Sequence, residues 1–275
     1  MLKKKLDSLT ALLEQMRAAV VCYSAGADSS LLLKIAQQVL GGHLLAVTAD
    51  SPVLPPEQLR FSRRMTKEWG VRHTVIHLDI LNTPAFIKNP LNRCYYCKRM
   101  LFGQARAIAS RRKIHFVLDG TNASDSRDFR PGSQARKEFG VRSPLEECAI
   151  NKQDVYKLSK SLRLPTWNKP PTVCLASRIP YGQQIILKDL KMVQRAEDYI
   201  RRFGFRQVRL RHYNLNPHLK LACIELDKKN ISYLAGSLRF KVQDYLKRLG
   251  YDYVTLDLEG YRCGSLHKFV GPQHA

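Results

Sequence analysis

A short run of small residues, hydroxyls and one carboxylate, SAGADS at residues 24–29, lies where an apolar segment meets a helical pattern. The apolar residues 18–23 predict a buried strand, and residues 29–40 predict a helix that ends at Gly41 and Gly42. Small residues allow the backbone to approach a ligand closely, and a helix amino terminus offers unpaired N–H groups. The junction therefore predicts a phosphate site, with a tight strand–helix turn as the simpler alternative.

This junction differs from a Walker A loop because no Gly-Lys-[Ser/Thr] ending follows it. The hydroxyls of Ser24 and Ser29 would donate hydrogen bonds to phosphate oxygens. Asp28 would repel a bare anion, so its predicted role is to hold Mg²⁺. Asp125, which follows the predicted fourth strand, is a second Mg²⁺ candidate, and the alternative for it is an ordinary loop aspartate.

Cysteines form the second group of reactive side chains: Cys22, Cys94, Cys97, Cys148, Cys174, Cys223 and Cys263. Their odd number, and an amino terminus without signal-peptide features, predict reduced thiols and a cytoplasmic protein. Cys94 and Cys97 form a Cys-x-x-Cys pair, which is typical of metal, cluster or redox sites. With Cys174 they supply three thiolates, which would leave one iron of a 4Fe-4S cluster open. A zinc site would need a fourth ligand, with candidates His73, His77 and Cys148.

Arginines in a predicted strand are candidates for binding a phosphate group of a substrate. Arg209 and Arg211 are two residues apart, so both side chains point to one face of that strand. Arg178, in the preceding loop, is a third candidate. Three carboxylates could either hold a metal ion or pair with these arginines: Glu197, Glu225 and Asp227.

The chain has 275 residues and a formal net charge of +23. Its lysines and arginines are spread along the chain, which favours attraction of polyanions and anionic substrates without identifying one. A general bias toward basic residues on solvated faces is an equal alternative. No apolar run is long enough to cross a bilayer, so the sequence predicts no association with a membrane.

The elements that must position these residues alternate between strands and helices up to about residue 145. Helical patterns separate four β-rich runs, at residues 18–23, 44–49, 71–78 and 114–120. This alternation predicts βαβ units and a parallel sheet. Ligands of such sheets bind beyond the carboxyl ends of the strands, where Ser24, Asp50 and residues 119–125 lie.

The rest of the chain has a different organisation. A helix is predicted at residues 151–162 with Asn151 as its cap, and a proline-rich segment without clear periodicity follows at residues 163–182. Two helical and three β-rich segments then indicate a small α+β unit: helices at 188–203 and 231–249, and strands at 205–213, 219–226 and 253–258. We therefore predict two domains, residues 1–180 and residues 181–275.

The SAGADS junction resembles the PP-loop of the ATP pyrophosphatase superfamily, whose pattern is Ser-Gly-Gly-x-Asp-Ser. Ala25 replaces the first glycine here, and alanine is unfavourable at a positive φ. The resemblance implies an adenine nucleotide alpha hydrolase-like fold, in which helices flank a parallel sheet. It also implies that the loop grips the pyrophosphate of ATP while a carbonyl or carboxylate oxygen is adenylated.

Four further stretches are similar to the LarE family of ATP-dependent sacrificial sulfur transferases: NRCYYCKRMLF (92–102), DGTNASDSRDFRPGSQARKEFGVRSPL (119–145), PPTVCLASRIPYG (170–182) and LDLEGYRCGSLH (256–267). The resemblance implies a PP-loop domain, a smaller domain for substrate binding and oligomerisation, and a homo-oligomer. Members convert carboxylates of a pyridinium mononucleotide into thiocarboxylates during synthesis of the nickel-pincer nucleotide cofactor. The implied partners are that mononucleotide and the nickel-inserting protein of the same pathway.

The resemblance also implies residue roles. ATP and Mg²⁺ would be bound by Ser24, Gly26, Asp28, Ser29, Gly120, Thr121 and Asp125. Cys174 would attack the acyl-adenylate, form a thioester and lose its sulfur to the product, becoming dehydroalanine. In a second mode, a 4Fe-4S cluster held by Cys94, Cys97 and Cys174 would carry the donated sulfur. The presence of all three cysteines slightly favours the cluster.

Other functions fit parts of the sequence. PP-loop proteins with cysteines also thiolate tRNA, and the high positive charge would suit RNA, although no zinc ribbon, RNA-binding module or continuous basic helix is recognisable. This leaves nucleic acid as the alternative substrate. A non-catalytic nucleotide-binding or metal-binding protein would bind ATP without releasing pyrophosphate. Amidation has no support, because no glutaminase domain is recognisable and Cys174 would have no role.

Overall fold

The computed structural model describes residues 1–125, 132–169 and 173–262. The chain divides into two compact units. The first comprises Met1–Ile80 and Asn92–Thr172, and the second comprises Leu81–Leu91 and Val173–Ala275. The sequence did not predict that the short segment Leu81–Leu91 belongs with the carboxyl-terminal residues. The two predicted domains and their roles stay a prediction.

A four-stranded parallel sheet in the order β3-β2-β1-β4 forms the centre of the first unit. Its strands are β1 Ala19–Cys22, β2 Leu44–Asp50, β3 Arg72–His77 and β4 Phe116–Leu118. Val20 of β1 pairs with Leu45 of β2 and with Val117 of β4, which defines the register. The predicted α/β class with parallel strands is confirmed.

Helices cover both faces of this sheet: α1 Leu2–Met16, α2 Ala27–Leu40, α3 Pro56–Glu68, α5 Arg93–Arg111, α6 Gly132–Glu138, α7 Pro144–Glu147 and α8 Lys152–Ser161. Neighbouring residues of β1 point to opposite sides, so each side needs its own apolar core. Val21 belongs to a core with Leu13 of α1 and Leu32 of α2. Val20 belongs to a second core with Phe102 of α5. Burial on both faces explains why β1 is continuously apolar.

Two element boundaries differ from the prediction in ways that affect the site. Helix α5 begins at Arg93 rather than at Lys98, because no glycine or proline interrupts this stretch, and Cys94 and Cys97 are therefore helical. Strand β4 ends at Leu118, so the residues that follow it belong to a loop.

The order of the strands brings two loops together. Strands β1 and β4 are neighbours in the sheet although β2 and β3 lie between them in the sequence. After β1, the chain adds β2 and β3 on one side of this strand and then adds β4 on its other side. The loops that follow β1 and β4 therefore meet at the carboxyl edge of the sheet. Such a position is where open α/β sheets bind their ligands.

The second unit contains a three-stranded sheet in the order β5-β6-β7. Strands β5 Val208–Asn216 and β6 Leu219–Leu226 are antiparallel, and β7 Tyr253–Leu256 is parallel to β6. The helices of this unit are α4 Pro84–Ile87, α9 Leu187–Arg201, α10 Ile231–Tyr233 and α11 Arg239–Arg248. The helix predicted at 231–249 is interrupted, because Leu234–Leu238 forms a π-helical turn.

No helix within the described residues has both the length and the hydropathy that crossing a membrane requires.

Candidate active site

Residues 24–29, the SAGADS junction, form a hydroxyl-lined turn at the amino end of α2. Gly26 is the N-cap of this helix, with an extended backbone. The Oγ atoms of Ser24 and Ser29 lie 3.0 Å apart, and the Ser29 hydroxyl donates to the carbonyl oxygen of Gly26 at 3.3 Å. Ser24 is exposed, whereas Ser29 is buried. The turn therefore presents one accessible hydroxyl beside the positive end of the helix dipole.

Ala25 has a φ of 58°, in the left-handed region that favours glycine. This residue occupies the position at which the PP-loop pattern has its first glycine. Lys169 donates from Nζ to the Ala25 carbonyl oxygen at 3.2 Å, and its ammonium lies 4.3 Å from the ring centre of Phe61. Burial lowers the pKa of Lys169, and the positive charge of Arg64 acts in the same direction. Lys169 thus helps to hold the strained turn.

Gly120 allows the β4 loop to approach α2 closely. A Cβ atom at this position would lie 2.8 Å from both the Cα and the backbone nitrogen of Ser29. Distances this short do not occur between real side chains and backbone. The glycine is therefore required by the contact between the two loops, which the sequence motif alone could not show.

Asn122 connects the two predicted Mg²⁺ ligands. Its Nδ2 donates to Asp28 Oδ1 and to Asp125 Oδ2, at 3.1 Å in each case. The two carboxylate oxygens therefore cannot be further apart than the sum of these distances. Lys152 Nζ also lies 2.6 Å from Asp28 Oδ2. The loops that follow β1 and β4 thus bring Asp28 and Asp125 together, and their predicted role as Mg²⁺ ligands stays a prediction.

This donor set suits Mg²⁺, which proteins commonly bind through one or two carboxylates while water and phosphate supply the other ligands. In the part of the chain that the structure describes, no group of three or more His, Cys, Asp or Glu side chains could hold a metal ion. Asp28 and Asp125 offer two carboxylates for such an ion, so its remaining ligands would have to be water or phosphate oxygens.

Asp119 holds the loop that follows β4 through hydrogen bonds to its carboxylate. The hydroxyl of Ser143 donates to its Oδ1 at 2.6 Å, and the backbone N–H and hydroxyl of Thr121 donate to its two carboxylate oxygens. The ammonium of Lys98 lies 4.0 Å from Asp119 Oδ2. Thr121 therefore has a structural role in addition to its predicted contact with ATP.

Three polar residues of this site escaped the sequence analysis: Asn122, Lys152 and Lys169. Asn122 stands inside a quoted motif, DGTNASD, but its type alone did not mark it as a bridge. Lys152 and Lys169 are far from residues 24–29 in the sequence. Their only signal was position, because Lys152 directly follows the helix cap Asn151 and Lys169 directly precedes the motif PPTVCLASRIPYG.

Cys94 and Cys97 lie in the first turns of α5, one helical turn apart. Residues at this spacing share a face of the helix, so the two thiols can bind the same group. Cys94 is exposed and Cys97 is half-buried, which differs from the burial expected of structural cysteines. The pair fits two ligands of a cluster or metal. Their predicted role in a 4Fe-4S cluster stays a prediction.

Cys174, in the second unit, immediately precedes a 3-10 turn, Leu175–Arg178, and is half-buried. The hydroxyl of Ser177 donates to the Cys174 carbonyl oxygen at 2.7 Å. Arg178 Nη1 donates to the carbonyl oxygens of Val173 and Cys174, at 2.9 and 3.1 Å. The turn that carries the predicted sulfur donor is therefore held by its own arginine. Residues 170–172 of its motif lie outside the described residues, as does Cys263.

Arg178 forms a buried ion pair with Glu197 of α9. Its Nε and Nη2 donate to the two carboxylate oxygens at 2.8 and 3.1 Å, and both side chains are only 1% exposed. Arg201 Nη2 lies 2.5 Å from Glu197 as well. Burial alone would raise the pKa of Glu197, but these arginines keep it below its usual range. The sequence left two roles open for Glu197, a metal ligand or a partner of an arginine, and the structure contains the ion pair with Arg178.

Arg211 forms a second buried pair, with Glu225. Its Nε and Nη2 donate to the carboxylate at 2.9 and 2.8 Å, and its Nη1 donates to the carbonyl oxygen of Ser177 at 2.7 Å. Arg211 therefore also supports the turn after Cys174. Asp227, the third predicted carboxylate, lies just beyond β6 as the N-cap of a 3-10 turn.

Arg209 lies on β5 two residues before Arg211 and is also buried. Burial, reinforced by the nearby charge of Arg178, lowers the pKa of Arg209 to about 10. Its guanidinium carbon lies 5.4 Å from the ring centre of Tyr261. The three predicted phosphate-binding arginines are thus gathered near Glu197 and Glu225, and their binding of a substrate phosphate stays a prediction.

Comparison with known proteins identifies relatives over nearly the whole chain, although no family model matches it. An uncharacterised protein of Synechocystis sp. is 42% identical over 272 residues, which cover 98% of this chain and 99% of that protein. The pyridinium-3,5-bisthiocarboxylic acid mononucleotide synthase of Lactiplantibacillus plantarum is 36% identical over 268 residues, 97% of this chain and 95% of that protein. An uncharacterised protein of Methanocaldococcus jannaschii is 30% identical over 244 residues, 88% of this chain and 90% of that protein. The chain therefore belongs to the LarE family, the family of the mononucleotide synthase.

Proposed function

We propose that the protein is an ATP-dependent sulfur transferase that adenylates a carboxylate of a pyridinium mononucleotide and converts it into a thiocarboxylate. The name of the relative that is 36% identical supports the substrate class and the presence of enzymatic activity. The observation that carries the adenylation step is the pairing of Asp28 and Asp125 through Asn122 at the amino end of α2. This arrangement combines a phosphate cradle with a cation site.

Adenylation solves the problem that a carboxylate has no good leaving group. A carboxylate oxygen of the mononucleotide attacks the α-phosphorus of ATP, the bond from this phosphorus to the bridging oxygen breaks, and pyrophosphate leaves. The backbone N–H groups at the start of α2 and the Ser24 hydroxyl would bind the departing phosphates. Mg²⁺ on Asp28 and Asp125 would supply positive charge against the pyrophosphate.

In the sacrificial mode, Cys174 donates its own sulfur. Its thiolate attacks the acyl carbon, AMP leaves with the bonding electron pair, and a thioester joins protein and substrate. A base then removes the Cα proton of Cys174, a Cα–Cβ double bond forms and the Cβ–S bond breaks. The sulfur leaves on the substrate as a thiocarboxylate, and residue 174 becomes dehydroalanine.

In the alternative mode, a 4Fe-4S cluster on Cys94, Cys97 and Cys174 would supply the sulfur instead. The helical spacing of Cys94 and Cys97 and their accessibility support this mode. Arg178 and Arg211, each in a buried pair with a glutamate, donate hydrogen bonds to backbone carbonyl oxygens of Cys174 and the turn after it. These contacts support both modes, because each mode needs a thiolate in a fixed position.

Pyrophosphate release tests the adenylation step. With ATP and Mg²⁺, the protein should release pyrophosphate only when the pyridinium carboxylate mononucleotide is present. Asp28→Asn should slow this release by roughly tenfold or more, because the cation loses a charged ligand. The matched variant Asp7→Asn, on the exposed face of α1, should not. Release that depends on tRNA instead would favour the RNA alternative, and ATP binding without release would favour the non-catalytic one.

Iron and acid-labile sulfide, measured on protein purified without oxygen, distinguish the two sulfur sources. Stoichiometric iron and sulfide that are lost in Cys94→Ala, but kept in the matched variant Cys148→Ala, would establish the cluster. Their absence after reconstitution would leave Cys174 as the donor. Intact-mass analysis after turnover should then find chains lighter by one H₂S.

A further inference from the structure

A basic cavity of about 390 Å³ lies in the first unit. It is lined by Ala18, His43, Arg72, Arg112, Lys113 and Ile114. Four of these six residues are basic and none is acidic. The volume falls within the range of pockets that bind small molecules.

This cavity lies at the edge of the sheet opposite the candidate active site. Ala18 directly precedes β1, His43 directly precedes β2, and Arg72 is the first residue of β3. Because the strands are parallel, these residues mark their amino ends. The PP-loop and the Asp125 loop follow the carboxyl ends. The cavity is therefore a separate feature of the same unit.

The positive charges around the cavity are not neutralised within the described residues. The side chains of His43, Arg112 and Lys113 form no ion pair or hydrogen bond with any residue of the ranges 1–125, 132–169 and 173–262. Arg72 donates to the carbonyl oxygen of Gly42, a neutral acceptor that leaves its charge uncompensated. Like charges that share a concavity repel one another, so an anion between them would be favourable.

A role in helix stability accounts for only part of this cluster. Arg112 and Lys113 follow the last residue of α5, where basic side chains complement the negative end of the helix dipole. His43 and Arg72 belong to other elements, and they do not follow the end of this helix. Their convergence with Arg112 and Lys113 on one cavity points to a ligand.

We propose that this cavity binds a compact, multiply charged phosphate ligand, such as the polyphosphate group of a nucleotide or an inorganic polyphosphate. The basic groups surround a single concavity, whereas a nucleic acid would need a basic stripe that follows its backbone. Arginine and lysine are the side chains that bind phosphate oxygens best. The proposal does not rest on the proposed sulfur transfer, and it gives a use to part of the high positive charge.

Binding of inorganic tripolyphosphate to the full chain, followed by ¹H–¹⁵N TROSY spectra, tests the proposal without an activity assay. Amide signals of Gly42, His43, Arg72 and Lys113 should shift and saturate, separately from any response of the PP-loop. The double variant R112E/K113E should weaken the cavity response at least about tenfold. The matched double variant K3E/K4E makes the same charge change on exposed residues of α1, and its cavity amides should respond to tripolyphosphate as in the unmodified protein. Arg72→Gln serves as a milder second variant if the double variant does not fold.

Three results would overturn the proposal. One is the lack of saturable shifts at the cavity amides in the unmodified protein. A second is an equal weakening in R112E/K113E and K3E/K4E, because that would reflect net charge alone. The third is saturation of the same amides by a short single-stranded RNA but not by tripolyphosphate, which would make the cavity part of a nucleic-acid surface.

Discussion

The side-chain amide nitrogen of Asn122 donates hydrogen bonds to two carboxylates, those of Asp28 and Asp125. Lys152 forms an ion pair with Asp28. The site therefore depends on a contact between two loops rather than on either loop alone. Gly120 controls how closely these loops approach, because its Cα packs against the backbone of Ser29. A change at this glycine should therefore disturb the proposed nucleotide site by moving the two loops apart, in addition to any contact that Gly120 itself makes with ATP.

Gly120→Ala should destabilise the protein by about 1–3 kcal/mol, the usual cost of forcing extra atoms into a packed contact. Urea denaturation measures this change, and pyrophosphate release should fall in the same variant. Gly42→Ala is the matched control, because a Cβ at Gly42 would meet no heavy atom within 4 Å. Equal stability of the two variants would contradict the close contact at Gly120.

At the residue scale, motif residues were predictable and their partners were not. The pattern SAGADS identified Ser24, Asp28 and Ser29 because the spacing in the motif is local. The contacts of Asn122, Lys152 and Lys169 join residues that are distant in the sequence, and many folds would place them elsewhere. The backbone conformation of Ala25 was partly predictable, since the glycine at this position of the pattern indicated a positive φ.

At the scale of elements, helix α8 positions Lys152 through a capping box. The Asn151 side chain accepts from the backbone N–H of Asp154 at 2.9 Å, and the Asp154 carboxylate accepts from the backbone N–H of Asn151 at 3.2 Å. The predicted cap is confirmed. Because Lys152 is the first residue of α8, loss of the cap should also loosen its ion pair with Asp28.

Asn151→Ala should therefore cost about 1 kcal/mol of unfolding free energy and slow pyrophosphate release. Asn151→Ser keeps an oxygen acceptor at the cap and should restore most of both. Urea denaturation gives the stability, and hydrogen exchange at the first amides of α8 reports its local opening. An alanine variant as stable as the serine variant would show that the cap has no energetic role.

Helix α9 carries a buried carboxylate that links it to the sheet of the second unit. Asp189 Oδ1 lies 2.6 Å from Lys220 Nζ, and its Oδ2 accepts from Asn214 Nδ2 at 3.1 Å and lies 3.2 Å from His212 Nε2. Burial alone would raise the pKa of Asp189, but these partners hold it well below its usual range. A carboxyl group with a depressed pKa in the folded state contributes stability above its unfolded pKa, and this stability is lost as the pH falls.

Asp189→Asn should therefore destabilise the protein by roughly 3–5 kcal/mol at neutral pH, because Lys220 loses its buried partner. Below the unfolded pKa of about 4, the difference between the two proteins should shrink with falling pH. Urea denaturation at several pH values measures it. Asp7→Asn, on an exposed side chain, controls for general effects of charge. A difference that stays constant or grows in acid would refute the depressed pKa.

Most elements were predictable from periodicity, and their ends were less so. The continuous apolar run of β1 indicated a strand because burial on both faces of a sheet leaves this distinct pattern, and β5 and β6 were indicated by β-rich segments. The start of α5 at Arg93 had no clear signal, because Asn92 makes no side-chain cap hydrogen bond and the first turn contains the weak helix formers cysteine and tyrosine. The π-helical turn at Leu234–Leu238 depends on packing and has no sequence signature of its own.

At the scale of the whole molecule, the two compact units carry different parts of the proposed chemistry. The first holds the proposed phosphate-binding turn and the Cys94–Cys97 pair, and the second holds Cys174 and two buried arginine–glutamate pairs that support its turn. A sulfur transferase needs both sets of residues, so we expect the activity to depend on residues of each unit. The strand order and the assignment of Leu81–Leu91 to the second unit arise from long-range contacts, which periodicity does not encode.

Mass spectrometry of the mononucleotide product shows directly whether the protein transfers sulfur to this substrate. The protein, ATP, Mg²⁺ and the pyridinium carboxylate mononucleotide are incubated without oxygen, with Cys174→Ser as the comparison. We expect a product in which sulfur replaces a carboxylate oxygen, formed together with pyrophosphate and AMP, and no such product from Cys174→Ser. Pyrophosphate release with an unchanged mononucleotide, or equal product from Cys174→Ser, would contradict it.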